Sequence, residues 1–167
     1  PSMIHDLELG HNGLVYAVDM ANDTLVSLNP VTAERKEYRV PGGKKPYSDE
    51  TSTQGPHSLE GDAAGNIWIT CAIGGKMAKF DVKTEEWTIV SSAPAPAKRG
   101  IYPHTLRVDK KGVVWYTDAG RGVFMLTKGG QSRVEFLEEL AADTGRPVVV
   151  AALLHNNTHT RSVFDDL

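Results

Sequence analysis

Cysteine is nearly absent. Cys71 is the single one in 167 residues, which excludes an intrachain disulfide framework and a cysteine-rich zinc site. Long hydrophobic runs are missing too. The longest, Val148 to Leu154, has seven residues, against the ~20 that a membrane-spanning helix needs, so no membrane partner is expected. Nor is there an excess of positive charge. With 18 Lys+Arg against 21 Asp+Glu, the net charge is −3, and the chain lacks the basic field on which non-specific nucleic-acid binding depends. Pro1 is not followed by a charged-then-apolar leader, so any signal peptide is expected to have been removed or to lie outside this segment. Cytoplasmic, periplasmic and secreted locations all stay open. What is present is an ordinary globular composition, 40% hydrophobic and 23% charged, with eight of the nine prolines before residue 104. The first two-thirds therefore reads as turn-rich.

Self-comparison shows one unit three times. The segments beginning His5-Asp-Leu-Glu, His57-Ser-Leu-Glu and His104-Thr-Leu-Arg align without a gap, with Leu two residues after each His. Gly13, Gly65 and Gly112 follow eight later, and the aromatics Tyr16, Trp68 and Trp115 eleven later. Thr24 to Thr32 of the first copy also lies over Lys76 to Thr84 of the second. In the second copy, β-rich runs bounded by turn residues predict strands over Ser58–Gly61, Ile67–Ala72, Met77–Asp81 and Glu86–Val90. Gly65-Asn66 and Gly74-Gly75 supply tight hairpins. A four-stranded antiparallel meander recurring every 52 and then 47 residues has the length of a propeller blade. The expected fold is thus all-β, a partial β-propeller of about three blades over residues 1–118, with repeats near 5–40, 57–90 and 104–118. Gly42–Gly55 and Ser91–Tyr102 read as long surface loops between blades. The aromatics at the repeated strand position are expected to pack between blades, and Cys71 to be a small buried hydrophobe.

After Asp118 the alignment fails. Ser132-Arg-Val-Glu135 reads as a capping box opening a helix near 133–144, closed by Gly145 and Pro147. The apolar run over 147–154 then reads as a strand buried on both faces. With a strand over 123–126, this predicts a short βαβ-like α/β tail over 119–167.

The repeats, with Gly65-Asn-Ile-Trp68-Ile-Thr and Gly112-Val-Val-Trp115-Tyr-Thr, resemble the streptogramin lyase (virginiamycin B lyase) family of seven-bladed propellers. From about Gly120 onward, Gly-Arg-Gly-Val-Phe and Glu-Glu-Leu-Ala-Ala-Asp-Thr-Gly-Arg-Pro-Val look instead like part of an N-acyl-D-amino-acid deacylase of the amidohydrolase family, without that family's metal-ligand motifs. The lyase resemblance implies a histidine general base. It also implies Mg²⁺ held by two carboxylates, one two residues before that histidine and one fourteen after, and a β-elimination that opens a lactone. His104 with Asp118 and His5 with Asp19 match half of this arrangement. His57 has Cys71 at the later position, and the earlier position holds Met3, Gly55 or Tyr102, never a carboxylate.

His104, His57 and His5 are accordingly the candidate catalytic residues, and Asp118 and Asp19 the candidate metal ligands. Both sets also have a structural reading: imidazoles bonded to a neighbouring blade's backbone, and aspartates closing turns. Three functions follow. The first is a metal-assisted carbon–oxygen lyase acting on a cyclic ester or lactone. The second is a non-catalytic propeller module, with a small molecule or carbohydrate at the channel. The third is a fragment of a deacylase. Three blades cannot close a ring of ~4–8, so further blades or another chain are expected to complete it.

Overall fold

The computed structural model describes residues 1–91, 102–118, 122–126 and 132–133. Among the described residues, twelve strands run in chain order: β1 (Ile4–Leu9), β2 (Val15–Asp19), β3 (Thr24–Leu28), β4 (Arg35–Arg39), β5 (Pro56–Gly61), β6 (Ile67–Cys71), β7 (Lys76–Asp81), β8 (Glu86–Ser91), β9 (Pro103–Val108), β10 (Val114–Asp118), β11 (Gly122–Leu126) and β12 (Ser132–Arg133). They form three four-stranded sheets, each an antiparallel meander of four consecutive strands. No helix among the described residues is long and apolar enough to cross a membrane.

The four strands expected in the second copy are present to within two residues at each end. The third copy departs from expectation. β11 pairs antiparallel with β10, and β12 with β11, so the third sheet continues past Asp118 with all four strands. Ser132 and Arg133, expected to open a helix, are instead the last strand of that sheet. The rest of the expected helix near 133–144 and the strand near 147–154 lie outside the described residues. Strand 123–126 pairs antiparallel with β10 and β12, and the parallel partner expected over 147–154 lies outside the described residues.

Alternation along the strands gives apolar faces that meet between neighbouring blades. Tyr16, Val18 and Leu25 of the first blade pack on Leu59, Ile67, Ile69 and Phe80 of the second. Met77 and Val90 of the second pack on Leu106, Val114 and Tyr116 of the third, flanked by Trp68 and Val108. Each such side chain, fully buried, contributes about 1.5–3 kcal/mol. Cys71 is wholly buried with Val40 and Ala78, and burial pushes its thiol pKa up to about 12.

A repeated carboxylate sets the first hairpin of the second and third blades. Asp62 accepts hydrogen bonds from the Ala64 and Asn66 amides and from Trp68 Nε1 at 2.9 Å. Asp109 likewise binds the Lys111 and Val113 amides and Trp115 Nε1. The first blade has Gly10 at this place because its aromatic lies differently. A Cβ on Gly10 would fall 2.7 Å from the Tyr16 ring, and Tyr16 Oη instead accepts from Asn12 Nδ2.

The connection over 42–55 runs over the surface for half of its residues, but it is anchored at both ends. Gly43, Lys44, Gln54 and Gly55 are buried, and the segment wraps around the carboxylate of Asp23, itself fully buried. Asp23 Oδ1 accepts from Ser52 Oγ and the Gln54 and Gly55 amides. Its Oδ2 accepts from the Lys44 and Thr53 amides and Thr53 Oγ1. Burial alone would raise the Asp23 pKa, but these donors hold it below the ordinary carboxylate value. The other expected loop, over 92–101, lies outside the described residues.

Phe80→Ala is expected to cost about 3–5 kcal/mol by chemical denaturation, the range for an aromatic truncated in a core. Val31→Ala, at a side chain 92% exposed, should stay within about 0.5 kcal/mol. Equal effects would contradict the seam packing.

Candidate functional site: a row of three channel histidines

Each candidate histidine sits in a β-bulge at the start of its blade's first strand. Pro56 pairs with Cys71 and Leu59 with Ile69, so His57 and Ser58 together oppose Thr70. His104 and Thr105 likewise oppose Thr117, and the register of β1 shifts between Ile4 and Asp6, at His5. A bulge inserts one residue and re-aims its side chain. In the second and third blades a threonine stabilises it: the Ser58 amide donates to Thr70 Oγ1 at 2.9 Å, and the Thr105 amide to Thr117 Oγ1 at 3.1 Å. The first blade has Val18 there and uses Asp6, whose Oδ2 accepts from Ser58 Oγ and the Leu59 amide of the next blade. Thr70 Oγ1 then donates to the His104 carbonyl at 2.7 Å, tying the second blade to the third.

These bulges bring the three imidazoles together. The His5 and His57 ring centroids are 3.6 Å apart, and those of His57 and His104 are 3.9 Å apart, tilted by 38° and 46°. Tyr102 continues the row, 6.2 Å from His104. His5 is exposed, His57 is 6% exposed and His104 is half-buried. Burial is the largest influence on His57, with the neighbouring His104 and His5 acting in the same direction, and together they lower its pKa from 6.5 to about 4. Its Nδ1 is buried without a hydrogen-bond partner. His104 Nδ1 lies 3.1 Å from Thr105 Oγ1.

The candidate metal ligands are placed differently. Asp19 ends β2 fully buried, and its oxygens close a turn. Oδ1 accepts from the Met3, Ala21 and Asn22 amides, and Oδ2 from Asn22 Nδ2 at 2.8 Å. Although burial opposes it, these bonds hold the Asp19 pKa below its usual value. Asp118 ends β10 opposite Pro103, and its side chain lies outside the described residues. Magnesium demands several oxygen ligands in near-octahedral order. Among the described residues, no group of three or more His, Cys, Asp or Glu side chains is placed to hold a metal ion, and the histidine row presents nitrogen. The described residues therefore do not fit Mg²⁺.

A carboxylate two residues before the second histidine is also sterically barred. Gly55 has φ +55°, and a Cβ there would lie 2.6 Å from Ile73 Cγ1.

The histidine spacing was the signal that found the row. Thr70, Thr117, Asp6 and Asp23 were missed. The threonines stand at a fixed thirteen residues after their histidines, which could have marked two of the four.

No family model and no curated protein matches the sequence. Among solved structures, the chain is similar to virginiamycin B lyase from Staphylococcus aureus, with TM-score 0.63 and 18% identity over 78% of this chain and 40% of that one. A streptogramin B lyase matches with TM-score 0.62 and 16% identity, over 78% of this chain and 39% of that one. The extracellular domain of a putative one-component system from B. thetaiotaomicron matches with TM-score 0.61 and 17% identity, over 78% and 16%. The fold is that of a β-propeller. The chain spans about two-fifths of the length of the lyases it matches. The resemblance of the region after Gly120 to deacylases finds no support in these comparisons.

Because the folded-state pKa of His57 is lowered, the folded protein binds fewer protons here than the unfolded chain does. The stability from neutral His57 is fully present above pH 6.5 and is lost as the pH falls toward about 4. His57→Gln should flatten this part of the pH–stability profile, measured by urea unfolding at several pH values. An unchanged slope would contradict the burial of a neutral imidazole.

Proposed function

We propose that the chain is part of a propeller carbon–oxygen lyase that opens a cyclic ester, with His104 as the general base at the channel. The observation that carries this reading is the row itself: three blades each spend a bulge on setting one imidazole against the next. Support also comes from a similar structure, a catalytically inactive histidine-to-alanine variant of virginiamycin B lyase with quinupristin, matched with TM-score 0.62 and 16% identity.

The chemistry follows from the different exposures along the row. His57, with its pKa at about 4, is neutral at neutral pH and adds no positive charge beside its neighbours. His104, half-buried at the other side of the contact, has the access to meet a ligand. In the tautomer whose Nδ1–H donates to Thr105 Oγ1, 3.1 Å away, Nε2 is the basic nitrogen. That nitrogen takes the proton from the carbon next to a carbonyl. The C–H electron pair becomes a carbon–carbon double bond, and the ester C–O bond breaks with its electrons leaving on the carboxylate. The imidazolium then returns its proton to the leaving carboxylate, and no water is consumed, so the opened product has the mass of the ring.

The test is incubation of the chain with a quinupristin-type cyclic depsipeptide, followed by chromatography and mass spectrometry. An opened isomer of unchanged mass is expected, formed at least about a hundredfold more slowly by His104→Ala, the range for losing a general base. A product heavier by one water, no product, or undiminished activity in the variant would overturn the proposal. Binding without turnover would favour the ligand-binding module instead.

A further inference from the structure

Among the described residues, the two seams between blades differ at the end opposite the histidines. β5 runs from the bulge at His57 to Gly61, so the hairpin that follows it lies at the other end of the second blade. The hairpin after β9 lies at the same end of the third. Between them opens a cleft of about 310 Å³, whose walls include Asp62, Trp68, Lys79, Lys110, Lys111 and Val114. Trp68 and Val114 belong to the packing between these blades and give the cleft its apolar side. Three lysines give it charge. Lys79 pairs with Trp68 across β6 and β7 and sets its Nζ 5.9 Å from the indole centroid. Lys110 and Lys111 stand exposed on the facing hairpin.

The first seam shows that the blade fold does not require these cations. At equivalent positions it has Tyr16 for Trp68, Ser27 for Lys79, Ala63 and Ala64 for Lys110 and Lys111, and Ile67 for Val114. Tyr16 pairs with Ser27 as Trp68 does with Lys79, but Tyr16 is 1% exposed and Ser27 4%. Where the first seam is packed shut, the second leaves an indole half-buried beneath three ammonium groups. The carboxylates nearby are engaged elsewhere. Asp62 accepts from the Ala64 and Asn66 amides, Asn66 Nδ2 and Trp68 Nε1. Asp81, which feels the charge of Lys79, accepts from the Lys83 and Thr84 amides. The ion pairs among the described residues involve none of the three lysines.

We propose that this cleft binds a small carboxylate that carries a flat ring, with the ring against Trp68 and Val114 and the carboxylate toward Lys79, Lys110 and Lys111. An apolar wall with a few placed polar groups is the usual make-up of a small-molecule site. Ammonium groups supply charge-assisted hydrogen bonds, roughly twice as strong as neutral ones. The volume, at the lower end of the ~300–1,000 Å³ of ligand pockets, suits one or two fused rings. The cleft lies at the opposite end of the strands from the histidine row, and the inference does not depend on the lyase reading.

Titration calorimetry of the chain with naphthoate at low ionic strength tests it. Saturable binding at one site per chain is expected, weakening as salt is raised. Naphthamide, the same ring without the charge, and acetate, the charge without the ring, should each bind at least about tenfold more weakly. Lys79→Ser combined with Lys110→Ala and Lys111→Ala gives the second seam residues that the first already accommodates, and should weaken naphthoate binding at least about tenfold. Lys83→Gln, at an exposed lysine outside the cleft, should leave it unchanged. Circular dichroism confirms that each variant keeps its sheet structure. Absence of saturable binding would overturn the proposal. So would binding indifferent to the triple substitution, weakened equally by Lys83→Gln, or matched by naphthamide or acetate.

Discussion

A fully buried carboxylate is tolerated in a protein only when its oxygens are saturated by donors, and Asp23 meets that condition with the segment joining the first two blades. Six hydrogen bonds from Lys44, Ser52, Thr53, Gln54 and Gly55 converge on it. The segment cannot drift without stripping a buried charge of its partners. Because the last of those donors is the Gly55 amide, the anchoring ends two residues short of His57. The middle imidazole thus follows directly on a segment anchored to the β2–β3 turn of the first blade.

The repeat made most of the fold legible. A histidine, a leucine, a glycine and an aromatic at constant separations are the trace of a strand–hairpin–strand unit, and the second copy carried enough turn residues to bound all four of its strands. The third copy's outer half was missed for an equally physical reason. Without an Asp–Thr turn like that of Asp81 and Thr84, Gly122–Leu126 loses the local signature of the meander, while pairing with β10 depends on backbone groups that any sequence supplies. Ser132 and Glu135 matched a helix cap by residue type, yet the pairing of Ser132 with Leu126 prevails over that local preference.

The site was legible in part. Spacing located the three histidines, but not that their rings touch, since contact depends on bulges that no residue type announces. The spacing of Asp19 from His5 suits a ligand, and it says nothing of the Met3, Ala21 and Asn22 amides that converge on Oδ1 or of Asn22 Nδ2 on Oδ2. Asp23 passed unnoticed because a lone aspartate after Asn22 looks like any turn residue until the returning loop is seen around it.

Gly55 limits the directions in which this channel can change. At φ +55° with Ile73 pressed against it, the position two residues before the second histidine takes a side chain only if Ile73 gives way. Met3 and Tyr102 have no such bar recorded in their backbones. A lineage, or an engineer, seeking a paired-carboxylate site would therefore have to begin at the first or third blade, or shrink Ile73 beforehand.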